Sequence, residues 1–288
     1  MAENSAISWT RHTWNPWMGC TKVSPACDGC YAEALMDKRY GKVQWGNHPR
    51  IRTGKHTWND PFRWQRQAEK DGDRPFVFCA SLADIFDNQV DPQWRAGAFD
   101  VMRQTPNLVY LLLTKRPQNI VKMADAAGGL PANAALGATC EDQPRADKNL
   151  PALQVAKIEL RPLFTFGSFE PLISGIIVPK GLMPDWVITG GETDQGGHKS
   201  RPTHPDWFRS LRDQAADAGA AYHHKQNGEW LAWGQVMADG TENYLSYGKQ
   251  PEFFQQFGGE IFSKVRKARS GRMLDGVTHD AFPFVGAV

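Results

Sequence analysis

Short apolar runs, each followed by a polar stretch of helical length, constrain this 288-residue chain more than any other feature. The runs are Phe76–Ala80 (FVFCA), Leu108–Leu113 (LVYLLL), Ala134–Ala138 (AALGA), Leu163–Phe166 (LFTF) and Trp186–Thr189 (WVIT), with a weaker sixth at Ala221–His224 (AYHH). They are too short for buried helices and do not alternate with polar residues, as expected of strands covered on both faces. Helices are expected between them. One covers Asp28–Arg39, a second Gln93–Gln104 behind the Asp91-Pro92 start signal, and a third Pro117–Ala127 ahead of Gly128-Gly129. A fourth, Asp206–Ala218, opens after His204-Pro205 and closes at Gly219. This alternation builds a parallel sheet. It predicts an α/β fold, a partial (β/α)6 TIM-type barrel over residues 1–230. Residues 231–288, where the periodicity fades, read as a C-terminal extension that packs on the barrel or covers its mouth. The basic stretch there, Lys264, Arg266, Lys267, Arg269 and Arg272, reads equally well as a solvated helix face.

Polar residues follow each run: Ser81 and Asp84; Thr114, Lys115 and Arg116; Glu141 and Asp142; Glu170; Gly190, Gly191 and Glu192; Lys225 and Gln226. In a βα barrel these positions form the C-terminal face, where active sites are built. Loops are polar in any case, so the pattern alone does not assign roles.

Bulk properties narrow the class. Apolar residues make up 41% of the chain, enough for a sizeable core, and the net charge of +2 excludes a strongly basic nucleic-acid binder. The start, MAENSAISWT, has no signal-peptide character, and no apolar run approaches the roughly 20 residues of a membrane span. The expectation is a soluble cytoplasmic protein whose thiols stay reduced.

Three of the five cysteines, Cys20, Cys27 and Cys30, fall in one loop with C-x6-C-x2-C spacing. Thiols this close in sequence usually hold a metal or an iron–sulfur cluster. A closed zinc site takes four protein ligands, so three thiols point to an open coordination position. A [4Fe–4S] cluster on three cysteines leaves one iron free to bind a small molecule. Zinc, with His12 or His48 as a fourth ligand, is the rival. Cys79, inside a strand, reads as a small buried hydrophobe. Cys140, just after a strand, is a candidate cavity-facing hydrogen-atom donor. His223 and His224 are candidates for proton transfer or simply core histidines. Trp14, Trp17 and Trp45 suit either base stacking or the core.

The blocks WNPWMGCTKVSPACDGCYAE, SLADIFD, LLTKRP, LGATCEDQ, SFEPL, WVITGGET, HPDWFRSLRDQ, HKQNGEW and GRMLDGVTHDAFP occur in order along the chain. Together they resemble an uncharacterised family of phage and prophage genomes with a three-cysteine motif and radical S-adenosylmethionine (SAM) character, distantly similar to spore photoproduct lyase. The cysteine spacing departs from the usual C-x3-C-x2-C of radical SAM enzymes, with Tyr31 after the last cysteine rather than an aromatic before it. The resemblance implies a [4Fe–4S] cluster on Cys20, Cys27 and Cys30, with SAM bound through Ser81, Asp84, Lys115, Gly190, Gly191 and Glu192. Glu141, Glu170 and Cys140 would then stand near the substrate. The implied substrate is a nucleobase, nucleotide or DNA, isomerised or cleaved in DNA hypermodification or repair. An electron donor such as flavodoxin or ferredoxin is implied, and a partner protein that presents the substrate is compatible with this reading. Two other classes remain open: a zinc-stabilised nucleic-acid-binding protein without catalysis, and a zinc hydrolase with a carboxylate base.

Overall fold

The computed structural model describes residues 3–244, 253–256 and 259–286; for 253–256 only the backbone is described. Seven parallel strands form one curved sheet in strict chain order. They are β1 (His12–Trp14), β2 (Phe76–Cys79), β3 (Val109–Thr114), β4 (Ala134–Thr139), β5 (Thr165–Phe169), β6 (Trp186–Gly190) and β7 (Ala221–Gln226). Helices α1 (Lys55–Asp71), α2 (Pro92–Arg103), α3 (Ile120–Ala126), α4 (Gln143–Leu160) and α5 (Pro205–Asp217) connect them. This is the partial TIM-type barrel expected, with seven strands in place of six.

The runs are apolar throughout because both faces of the sheet are covered. Successive side chains of a strand point to opposite faces. Leu111, Ala135, Phe166, Trp186 and Ile188 accordingly join one apolar cluster, on the face that carries the cavity. Tyr110, Leu112 and Leu136 join another, with Ala98, Phe99 and Met102 of α2.

Three elements carry no clear sequence signal. Strand β1 is three residues long, HTW, and gains its identity only from parallel pairing with β2. Helix α1 is largely polar and contains Pro61, yet buries Trp58, Trp64 and Ala68. Helix α4 contains Pro151 and exposes Val155 and Ile158, which blurs its apolar stripe. The helix expected over Asp28–Arg39 starts later: a 3-10 turn, Pro25–Cys27, precedes one α-helical turn, Tyr31–Glu33, and a π-helical stretch, Ala34–Arg39. The cysteine loop thus contains a helical turn at Cys27 and leaves Cys30 in extended backbone, with φ −71° and ψ 111°, at the start of the next turn.

After β7 the chain forms a three-stranded antiparallel sheet of β8 (Trp230–Ala232), β9 (Phe253–Gln256) and β10 (Glu260–Lys264), with β10 in the middle. A short helix, α6 (Lys267–Ser270), follows. The segment then returns along β7, where the His224 N–H donates to His279 O at 3.0 Å and the Ala281 N–H to Tyr222 O at 3.2 Å. This contact covers the last strand edge, which would otherwise expose unpaired backbone groups. No helix of the described residues is long and apolar enough to cross a membrane.

Candidate functional site

A cavity of about 1070 Å³ opens at the C-terminal ends of the strands. Ligand pockets typically fall between about 300 and 1,000 Å³, so this one has room for more than one small molecule. Cys20, Cys27 and Cys30 all line it, half-buried and free of disulfides.

The cysteine loop is braced from both sides. On one side, Arg116 at the end of β3 donates through Nη1 to Cys20 Sγ at 3.5 Å and through Nη2 to Thr21 O at 2.8 Å. Arg50 Nη2 donates to Thr21 Oγ1 at 2.8 Å while Arg50 Nε donates to Asp87 Oδ2 at 2.7 Å. On the other side, the Ala26 N–H donates to Glu141 Oε1 at 3.3 Å, and Arg201 Nη2 to Pro25 O at 3.4 Å. Gly29, between Cys27 and Cys30, lies against His198: a Cβ there would come within 2.8 Å of its Cδ2. Only a glycine lets the loop approach that ring so closely.

Glu192, expected to contact SAM, is engaged within the chain. Its carboxylate accepts from the Arg201 backbone N–H at 2.8 Å, from Arg201 Nε at 2.8 Å and Nη2 at 2.5 Å, and bonds His198 Nε2 at 3.0 Å. It holds the β6 loop against the cysteine loop. Asp84 is engaged as well, accepting from Thr114 Oγ1 at 2.7 Å, from the Lys115 N–H at 3.2 Å and from Arg116 Nη1 at 2.8 Å. Asp84 thus fixes the TKR turn. Ser81 lines the cavity, with its Oγ bonded to Asn15 Nδ2 at 3.0 Å. Gly190 ends β6 against the Glu170 side chain, and Gly191 lines the cavity. A Cβ on Gly191 would lie 2.0 Å from Asn227 O, so close packing of the two strand ends already requires this glycine.

Lys115 differs. It lines the cavity, and its ammonium has no hydrogen-bonded or ion-paired partner among the described residues; Cys27, Glu141, Cys30 and Asp84 are the charged or ionisable groups around it. Glu170 also lines the cavity, accepting on Oε1 from Lys225 Nζ at 2.6 Å and Gln226 Nε2 at 2.8 Å. Glu141 is fully buried just behind the wall, and its Oε2 has no partner among the described residues. It braces the cysteine loop rather than facing a substrate. Cys140 points away from the cavity into the apolar cluster of Ala146, Leu150 and Phe169, where burial raises its thiol pKa well above the ordinary range. It is therefore no cavity-facing hydrogen donor. Cys79 is fully buried, as expected.

His223 and His224 are core residues. Burial holds both imidazoles at a pKa of about 4. Trp14 and Trp17 are fully buried, whereas Trp45 is half-buried on the cavity wall. Sequence reasoning did not assign two cations of the extension, Lys267 and Arg272, to the cavity they line. The rest of the basic stretch turns elsewhere, with Lys264 Nζ on Asp194 Oδ2 at 2.9 Å and Arg269 Nη2 on Met237 Sδ at 3.8 Å.

Burial, and next the Asp84 carboxylate, push the Cys20 thiol up to about 11, and burial raises Cys30 as well. In the chain alone both thiols are protonated at neutral pH; a metal centre binds them by displacing those protons. Neither His12, stacked on Trp64 at 4.4 Å, nor the exposed His48 lines the cavity with the thiols. Among the described residues no three His, Cys, Asp or Glu side chains are grouped to hold a metal ion. A four-iron cluster takes each thiolate on a different iron and so needs them around its perimeter, not converging on one point. Three free thiols share one cavity wall beside Lys115, and this donor set suits a three-cysteine [4Fe–4S] cluster as well as a zinc ion with an open fourth position.

The sequence matches, over residues 4–283, a family described as a protein of unknown function, DUF5131, and the chain belongs to that family. No curated protein matches it. Among solved structures the chain is similar to spore photoproduct lyase. A double mutant of that enzyme with bound AdoMet and dinucleoside spore photoproduct aligns with a TM-score of 0.48 at 10% identity, over 91% of this chain and 70% of the other. The enzyme complexed with dinucleoside spore photoproduct aligns with a TM-score of 0.44 at 9% identity, over the same 91% and 70%.

Proposed function

We propose that this DUF5131 member is a radical SAM enzyme that acts on a nucleobase or nucleotide. The observation that carries the reading is the set of three free thiols on the wall of one large cavity, at the C-terminal mouth of a parallel half-barrel, beside the unpaired Lys115. Cys20, Cys27 and Cys30 are the ligands for a [4Fe–4S] cluster. With an electron from a donor such as flavodoxin or ferredoxin, that cluster would supply reductive cleavage of the SAM C5′–S bond, with methionine as leaving group, and so hydrogen-atom abstraction chemistry in the cavity.

The chain's own groups bind and orient. Lys115 offers its ammonium to the SAM carboxylate, since no protein anion among the described residues is hydrogen-bonded or ion-paired to it. Arg116, Arg50, Glu141 and the Glu192–Arg201–His198 group hold the cysteine loop in one shape. Ser81 and the Gly191 backbone contribute wall to the same pocket. Glu170, already engaged by Lys225 and Gln226, lies on the substrate side. Residues 1–230 form the catalytic barrel and 231–288 the extension that completes its wall, in a cytoplasmic protein.

Cys27→Ala tests the reading. The variant is expected to fold with unchanged circular dichroism, and to lose both the reconstituted cluster and reductive SAM cleavage. A variant that still cleaves SAM at the parent rate contradicts the assignment.

A further inference from the structure

We propose that Lys225, Lys267 and Arg272 form a phosphate-binding subsite on the cavity wall remote from Lys115, and that the substrate is a nucleotide held there by its phosphate. Lys225 lies near the end of β7, Lys267 opens α6 and Arg272 follows it, so the C-terminal extension contributes two of the three cations. All three line the cavity.

The charge balance of the wall favours an anion. Seven Lys and Arg side chains stand on it against three Asp and Glu. Each of those acids is already engaged: Asp84 by Arg116, Glu170 by Lys225, and Glu192 by Arg201 and His198. Acids that do not line the cavity take up part of the surplus: Asp280 pairs with Arg272, Glu33 with Lys38, and Glu229 faces Lys267. Lys267 and Lys225 also face one another as like charges. A cavity lined with a surplus of one sign between low-dielectric walls concentrates ligands of the other sign.

Lys115 on one side and the group of Lys225, Lys267 and Arg272 on the other leave two ammonium groups, Lys115 and Lys267, without an ion-paired anion among the described residues. Lys115 follows β3 and Lys225 belongs to β7, four strands on, or roughly 19 Å along the sheet at about 4.8 Å per strand. SAM carries one carboxylate and no phosphate, so the second group is surplus to it. A phosphate monoester carries about −1.5 to −2 charge at neutral pH and three strong acceptor oxygens, which suits a cluster of Lys and Arg. Thr139 Oγ1, at the end of β4 between the two groups, and Gln226 Oε1, next to Lys225 on β7, are buried on the cavity wall without partners among the described residues. An unpartnered buried amide oxygen is costly unless a ligand N–H meets it, and the edge of a nucleobase supplies one. The anion site follows from the wall itself; that the anion belongs to the reacting substrate rests on the radical SAM reading above.

The test is equilibrium binding to the anaerobically purified protein. The probes are the four deoxynucleoside 5′-monophosphates, the four parent nucleosides, inorganic phosphate and a six-nucleotide single strand. At least one monophosphate is expected to bind about tenfold or more tightly than its nucleoside, the gain expected of one charge-assisted contact. Inorganic phosphate is expected to compete with it. Lys267→Ala is expected to remove most of that preference, and Lys267→Glu all of it. Both substitutions alter one exposed side chain, and unchanged circular dichroism checks the fold. Preferential binding of the strand, lost in the same variants, assigns the phosphate to DNA and keeps the subsite. Equal affinities within every nucleoside–nucleotide pair and no binding of the strand, or a phosphate preference that survives Lys267→Glu, overturn the proposal. Cys27→Ala is expected to keep the preference, so a failure of the cluster assignment and a failure of the subsite register separately.

Discussion

The cavity has two kinds of charged wall. Asp84 with Arg116, and Glu192 with Arg201 and His198, are saturated: the hydrogen bonds of these acids go to neighbours in the same chain. Lys115 and Lys267 face the same space with no ion pair among the described residues. A buried charge is costly without a partner, so saturated groups are where a fold is held, and unsaturated ones on a cavity wall are where a ligand completes the balance. Residue type does not separate the two classes. Lys115 and Arg116 are adjacent in sequence and belong to different ones.

The largest effect expected on stability comes from breaking a saturated pair. Asp84→Ala leaves Arg116, whose side chain is 7% exposed, without its carboxylate. Loss of about 3–5 kcal/mol in denaturant unfolding is expected for a buried charge left unpaired. A loss under about 1 kcal/mol, the range of exposed pairs, would move Asp84 out of the saturated class.

Acid tests the buried imidazoles next. His223 bonds Ser8 Oγ at 2.9 Å and leaves its Nδ1 without a hydrogen-bond partner among the described residues, whereas His224 bonds Thr189 Oγ1 at 2.9 Å and Asn227 Oδ1 at 3.0 Å. Their folded-state pKa of about 4 lies below the ordinary value of 6.5, so the unfolded chain takes up protons first. Their stabilising effect is complete above pH 6.5 and is lost as pH falls from 6.5 toward 4. The slope is up to about 1.4 kcal/mol per pH unit for each histidine. A melting temperature that stays flat from pH 6.5 to pH 4.5 would contradict the assignment of both imidazoles as neutral.

Glu192→Gln weakens the bonds to Arg201 and His198 without removing bulk. A loss of about 1–3 kcal/mol is expected, the scale of hydrogen bonds to charged groups. Because His198 packs on Gly29, the variant is also expected to retain less iron after reconstitution, and Ala at Glu192 less still. Iron retention equal to that of the parent chain would disconnect the β6 loop from the cysteines.

Lys115→Ala should change stability least, by under about 0.5 kcal/mol, since no partner is stranded. Its expected effect falls on ligand affinity: SAM binding measured by calorimetry weakens about tenfold or more, the value of one charge-assisted contact. The reverse pattern, a large loss of stability with unchanged SAM affinity, would place Lys115 with the saturated groups.

The architecture was legible because strands covered on both faces must be apolar throughout, as FVFC and VYLLLT are. HTW in β1 was not, since a three-residue strand has no pattern of its own. The cysteines were legible because a loop of eleven residues keeps its ligands together without help from the fold. The role of Glu192 was not, because it depends on HKSR folding back so that Arg201 and His198 reach it. Lys267 and Arg272 lie more than forty residues beyond β7 in sequence and reach the cavity only through the return of the extension. Nothing local marks them off from Lys264, which turns to Asp194 instead.

The central claim is that Cys20, Cys27 and Cys30 hold a four-iron cluster. Its most direct test is anaerobic purification with iron, sulfide and zinc measured on the same sample as the visible spectrum. The account predicts a brown protein with about four irons and four sulfides per chain, as one [4Fe–4S] cluster requires. A colourless protein that holds about one zinc, and that takes up no iron on reconstitution, would contradict it.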